Sequence, residues 1–120
     1  MSRRIMISLA AAAATVALTT SPAGAGVGNL EVYGSPNYSG THVTVPPSTV
    51  GSYVNSCVSV STLTSAGLTT SQSMINNTSY NLGLYGAASC SATSYITSVS
   101  ANSQWTTTTG QTVLSVYVSP

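Results

Sequence analysis

Few side chains in this sequence can do acid–base or nucleophilic chemistry. The chain has one carboxylate, Glu31, one histidine, His42, two cysteines, Cys57 and Cys90, seven tyrosines and a large supply of serine and threonine hydroxyls. Glu31 and His42 flank a turn, which is expected to bring them near each other on adjacent strands. In the simplest reading they are an exposed charge pair, contributing at most about 1 kcal/mol. In the sharper reading one of the many serines completes a Ser-His-Glu triad, with histidine accepting the serine proton and the carboxylate orienting the ring. No Gly-x-Ser-x-Gly elbow or comparable motif accompanies the pair. General acid–base work commonly uses two titratable groups, and here the supply is nearly exhausted by one pair. The chain is therefore expected not to be an enzyme, and no catalytic residue is assigned.

The elements that must position these groups begin after an export leader. Residues 1–25 have a basic start at Arg3 and Arg4, an apolar run from Ile5 to Leu18, and a small-x-small cleavage site at Ala23-Gly24-Ala25. The apolar run is shorter than the roughly 20 residues needed to span a bilayer, so a signal peptide is expected rather than an anchor. The arginines suit either a general secretory or a twin-arginine route. Both basic residues of the chain lie in this leader. Residues 26–120 therefore have no Lys or Arg, which removes the cations that neutralise phosphates and excludes nucleic-acid binding. A polybasic contact with anionic lipid is excluded in the same way. The expected product is a secreted protein with no membrane span after processing.

Residues 26–120 are crowded with Ser, Thr and Asn, yet the tyrosines, one tryptophan and alternating Val, Leu and Ile argue for a packed domain rather than a stalk. So short a chain buries only about two thirds of its extended surface, and covalent support is expected. Cys57 and Cys90 supply it if they pair, as two cysteines in an exported chain are expected to do. Closing a loop of about 34 residues would stabilise by roughly 3 to 4 kcal/mol in the chain-entropy model. The rival reading makes them metal ligands with His42. Zinc uses three or four ligands at recognisable spacing, and neither cysteine belongs to a C-x2-C unit, so the disulfide is preferred.

Alternation places Leu30 and Val32 on one face of a strand and Glu31 and Tyr33 on the other. Gly34-Ser35-Pro36-Asn37 is turn chemistry, after which Thr41, Val43 and Val45 share a face and His42 and Thr44 take the wetter one. Pro46-Pro47 stops that strand or marks a sheet edge, because neither residue donates to a ladder. Cys57 to Ser61 is a further strand with Val58 and Val60 inward. Thr64 to Asn77 is small and polar and reads as a long connection. The second half opens at Leu82-Gly83-Leu84-Tyr85-Gly86, a weaker copy of Leu30-Glu31-Val32-Tyr33-Gly34. Strands are expected at Tyr95–Val99 and Val113–Val118, and Leu114-Ser115-Val116 matches Val58-Ser59-Val60. The expectation is all-β: about seven or eight strands closing as a two-sheet sandwich, with no significant helix outside the leader. The domain spans 26–120, with one motif at about 29–63, a linker at 64–79 and a second motif at about 80–118.

Tyr33-x4-Tyr38-x-Gly40, followed later by a strand carrying Ser59, resembles the Greek-key motif of the βγ-crystallin family. The second copy keeps Tyr85 but has Cys90 in place of the second aromatic and Ala92 in place of glycine. The resemblance implies a hairpin folded over its sheet, with the glycine permitting the fold and the aromatics packed beneath. It also suggests that a Cys57–Cys90 bond pins the second hairpin where the aromatic is lost. Many microbial members bind calcium through paired Asn or Asp followed by Ser or Thr and Ser. Here only Asn55, Ser59 and Ser115 remain of such sites, and a chain with one carboxylate is poorly equipped for calcium. No cofactor is expected.

Trp105 is read as a core residue rather than a sugar platform. Thr106 to Thr109 is read as plain strand or loop, because consecutive residues of a strand face opposite ways. Small secreted actinobacterial proteins of the resembled kind include metalloproteinase-inhibitor-like and killer-toxin-like proteins. The resemblance thus implies a non-catalytic binding protein with a protein or cell-surface partner, its loops at Ser35–Ser39 or Thr64–Asn77 making the contact. The alternative is a structural protein of the envelope or spore surface.

Overall fold

A computed structural model describes residues 27–120, so the expected leader lies outside the described residues. The strands are β1 (Val27–Ser35), β2 (Ser39–Val45), β3 (Ser56–Ser59), β4 (Ser73–Thr78), β5 (Asn81–Tyr85), β6 (Tyr95–Val99), β7 (Ser103–Thr106) and β8 (Ser115–Ser119). They form two four-stranded antiparallel sheets: sheet A in the order β2-β1-β4-β7 and sheet B in the order β3-β8-β5-β6. The all-β, two-sheet expectation holds. Helix is confined to α1 (Pro47–Gly51), α2 (Val60–Leu63) and a 3₁₀ turn at Ala92–Ser94.

The two sheets do not coincide with the two four-strand halves of the chain. Each sheet takes the first, second and fourth strands of one half and the third strand of the other. The crossing begins where β2 must stop: Pro46 leaves the ladder and Pro47 starts α1, which carries the chain toward the opposite sheet. The ladder partners of β3 and β7 therefore belong to the opposite half, β8 and β4 respectively. At the centre Ser71 and Val113, the residues two before β4 and β8, exchange reciprocal backbone hydrogen bonds of 3.0 and 2.8 Å.

The inward faces meet as expected from the alternation. Leu30, Val32, Val45 and Met74 from sheet A pack with Val58, Leu82, Leu84, Val99, Val116 and Val118 from sheet B, and α1 and α2 add Val50, Val60 and Leu63. Burying each such side chain is worth about 1.5–3 kcal/mol. Trp105 pairs with Met74 on the inner face and packs against this core, in agreement with the core reading.

The expected strand Cys57–Ser61 ends at Ser59, with Val60 and Ser61 opening α2, and the stretch read as a linker at residues 64–79 also departs from its reading. Ser73–Thr78 is a central strand, and the connection before it is confined to residues 64–72. Its Asn76 points inward, fully buried. A buried amide is costly unless bonded, and this one is: Nδ2 donates to Tyr80 O (2.8 Å) and Ser100 O (3.1 Å), while Oδ1 accepts from Thr78 N and Thr78 Oγ1. Asn76 thereby ties β4 to the turns on either side of β5 and β6.

Candidate functional site on the β1–β2 hairpin

Antiparallel pairing of β1 and β2 sets Glu31 opposite Thr44 and Tyr33 opposite His42, all on the outer face of sheet A. Glu31 Oε1 accepts from His42 Nε2 and from Thr44 Oγ1, each at 2.6 Å. His42 stacks on Tyr33 with ring centroids 4.4 Å apart and planes 8° from parallel. Tyr38 meets Tyr33 edge-on at 6.0 Å. The Tyr33 phenol titrates above the ordinary tyrosine value, first because the ring is partly buried and second because Glu31 opposes a second negative charge beside it.

The expected neighbourhood of Glu31 and His42 is thus observed, with Thr44 and Tyr33 added. The His42 side chain is 42% exposed and that of Glu31 21%, so the pair lies in solvent-screened surroundings. Among the described residues no serine hydroxyl bonds to the His42 ring, so the nucleophile of the sharper reading is not brought to it.

The turn joining the strands is anchored rather than free. Asn37 and Tyr38 both have positive φ, 58° and 57°. Their backbone N–H groups donate to Thr106 Oγ1 (2.8 Å) and Ser73 Oγ (2.9 Å), and the Ser73 hydroxyl donates to Ser35 O at 2.7 Å. Gly40, at φ +79°, closes the turn; a Cβ there would lie 2.5 Å from Ser35 Oγ. The hairpin is folded over its sheet by these contacts, and its exposed tip is held at both ends.

Ser73 and Thr106 were not legible as anchors in the sequence. The match between Val58-Ser59-Val60 and Leu114-Ser115-Val116 pairs neighbours rather than equivalents: Ser59 lies directly opposite Ser115 in the β3–β8 ladder. The counterpart of Ser115 is Ser73, each opening the last strand of its half, and the counterpart of Ser59 is Thr106. Ser115 is fully buried; its Oγ accepts from Cys90 N at 3.0 Å and donates to Ala87 O. Ser59 caps α2 by accepting from Thr62 N. Asn55 sits at φ +64°, exposed, its N–H on Val118 O. Of these three calcium candidates, Ser59 and Ser115 use their hydroxyls in bonds within the fold. Among the described residues no three of His, Cys, Asp and Glu lie together.

Cys57 and Cys90 form the expected disulfide, which ties edge strand β3 to the β5–β6 connection. Tyr85 packs edge-on against Tyr95 at 5.5 Å in place of the missing second aromatic. Where the end of β2 meets α1 and α2, Val43, Thr44, Val45, Pro46, Thr49, Leu63, Thr64 and Ser65 line a cleft of about 210 Å³. That volume is below the roughly 300–1,000 Å³ of small-molecule sites.

Compared with protein-family models, curated proteins and solved structures, the chain matches none of them.

Proposed function

We propose that this chain is a secreted, non-catalytic binding protein that engages a protein partner through the outer face of sheet A at the β1–β2 hairpin. The observation that carries the reading is the anchored turn. Asn37 and Ser39 are exposed at its tip, while the adjacent backbone is fixed by Ser73 and Thr106. A surface fixed before encounter loses little conformational entropy on binding, which is what tight recognition by a small domain requires. Of the two loops considered, the one at Ser35–Ser39 is favoured, because residues 73–77 of the other belong to a central strand.

Protease inhibition is the most concrete form of this reading. The βγ-crystallin resemblance supports it through the folded hairpin, the positive φ of Gly40 and the packing of Tyr33 on Tyr38. The disulfide suits an oxidising compartment. Among the described residues no helix is long and apolar enough to cross a membrane. A panel of secreted metallo- and serine proteases tests the proposal: at least one is inhibited by micromolar protein, and inhibition weakens in Tyr38→Ala. A panel left wholly unaffected removes inhibition as the function.

A second reading, a structural protein of the cell or spore surface, is favoured by the composition of residues 26–120, whose ionisable side chains apart from Tyr and Cys are Glu31 and His42. Recovery of the protein free in the medium rather than with cells or spores counts against it.

A further inference from the structure

The outer face of sheet B gathers Tyr85, Tyr95 and Tyr117 and, among the described residues, no charged side chain, whereas that of sheet A carries Glu31 and His42 beside Tyr33. The large hydrophobic side chains most exposed among the described residues are Tyr95 (51%) and Tyr117 (37%), and both lie here. The register explains the grouping: Gly83 stands opposite Tyr117 on one side and Ser98 on the other, and Tyr85 opposite Tyr95. With no side chain at Gly83, the Tyr85 ring lies low along the strand. A Cβ there would meet Tyr85 Cε1 at 3.3 Å and Tyr117 Cβ at 3.8 Å. The Tyr95 hydroxyl pairs with Ser98 Oγ at 2.7 Å, so hydroxyls border the rings.

From this arrangement we infer that the outer face of sheet B is a docking surface for a neutral polysaccharide. Exposed aromatic area gathered on one face marks an interaction site. Tyrosine gives broad, rigid contact area with a polar tip, which suits the apolar C–H face and the hydroxyl rim of a pyranose ring. Charge decides among partners. Glu31 and His42 lie on the outer face of the opposite sheet, so the tyrosine face has no ionic complement for an acidic or basic ligand. An uncharged sugar polymer loses nothing by that absence. The inference is independent of the partner proposed for sheet A, since it uses different residues on the other side of the sandwich.

The test is binding of residues 26–120, disulfide intact, to insoluble cellulose and chitin and to soluble mixed-linkage β-glucan, with the wild type set against Tyr95→Ala/Tyr117→Ala. Both tyrosines are exposed, so a melting temperature close to wild type verifies that the variant folds. At least one neutral polymer is expected to retain the wild type, and the double variant to bind about tenfold or more weakly, as for loss of interfacial aromatic anchors. Glu31→Gln/His42→Ala is expected to bind like wild type. Failure of the wild type to bind any of the three polymers, or undiminished binding by the tyrosine variant, overturns the inference. So does concentration-dependent self-association abolished by Tyr95→Ala/Tyr117→Ala, which assigns the face to a second copy of the chain.

Discussion

The two hairpins that open the halves of this domain solve one problem with different chemistry. In both, a buried serine at the start of the last strand holds the turn: Ser73 accepts from Tyr38 N and donates to Ser35 O, and Ser115 accepts from Cys90 N and donates to Ala87 O. In both, the residue so held has positive φ, 57° at Tyr38 and 54° at Cys90. The second fastening differs. The first hairpin uses rings, Tyr38 on Tyr33 and Tyr33 on His42. The second uses the Cys57–Cys90 bond, and its connection, freed from the tight geometry of the first, takes a longer path through a 3₁₀ turn beginning at Ala92. A glycine is thus required where the turn is short and dispensable where it is long and covalently tied.

The largest effect is expected from removing the covalent fastening. Cys57→Ser/Cys90→Ser should lower unfolding free energy by about 2–5 kcal/mol, read from denaturant melts. Next come the serines. Ser73→Ala leaves the Tyr38 amide without its partner, at a cost of about 1–3 kcal/mol. Ser115→Ala should cost less while the disulfide is intact and approach the Ser73→Ala value under reductant, which the same melts measure. Gly40→Ala should cost about 1–2 kcal/mol, because an L-residue is forced into the left-handed region. Ala92→Gly should be nearly neutral by comparison.

A smaller effect separates the hairpins by pH. The Tyr33 phenol is raised above its ordinary value in the folded state, so its contribution is fully present below the unfolded value of 10.0 and is lost as pH rises through the higher folded one. Stability should therefore decline at alkaline pH, and Tyr33→Phe should reduce that decline, as followed by melting temperature across the alkaline range. Tyr33 is only partly buried, which keeps the change small.

Much of the sandwich was legible because alternation is a local signal. Leu30 and Val32, Val58, and Leu82 and Leu84 point inward as their spacing requires. The Cys57–Cys90 bond was expected from the pair of cysteines behind an export-like leader, and the proximity of Glu31 to His42 from a short turn. Strand β4 was not legible: its inward Asn76 imitates turn chemistry, and the bonds that make its burial tolerable come from residues 78, 80 and 100. The exchange of third strands was hidden for a related reason, since pairing partners are set by tertiary packing rather than local pattern. The hydroxyl anchors Ser73 and Thr106 were lost among so many other serines and threonines. Their sequence neighbours carry no distinguishing mark, and only the register separates them from surface hydroxyls.

The central claim, that one hairpin is held by rings and the other by a covalent bond, is tested most directly by hydrogen exchange at the backbone amides of Tyr38 and Cys90 before and after reduction. Both amides should be protected in the oxidised protein. Reduction should speed exchange at Cys90 by about tenfold or more while leaving Tyr38 protected, because the two turns open as separate local units. Equal acceleration at both amides, or none at Cys90, would contradict the account.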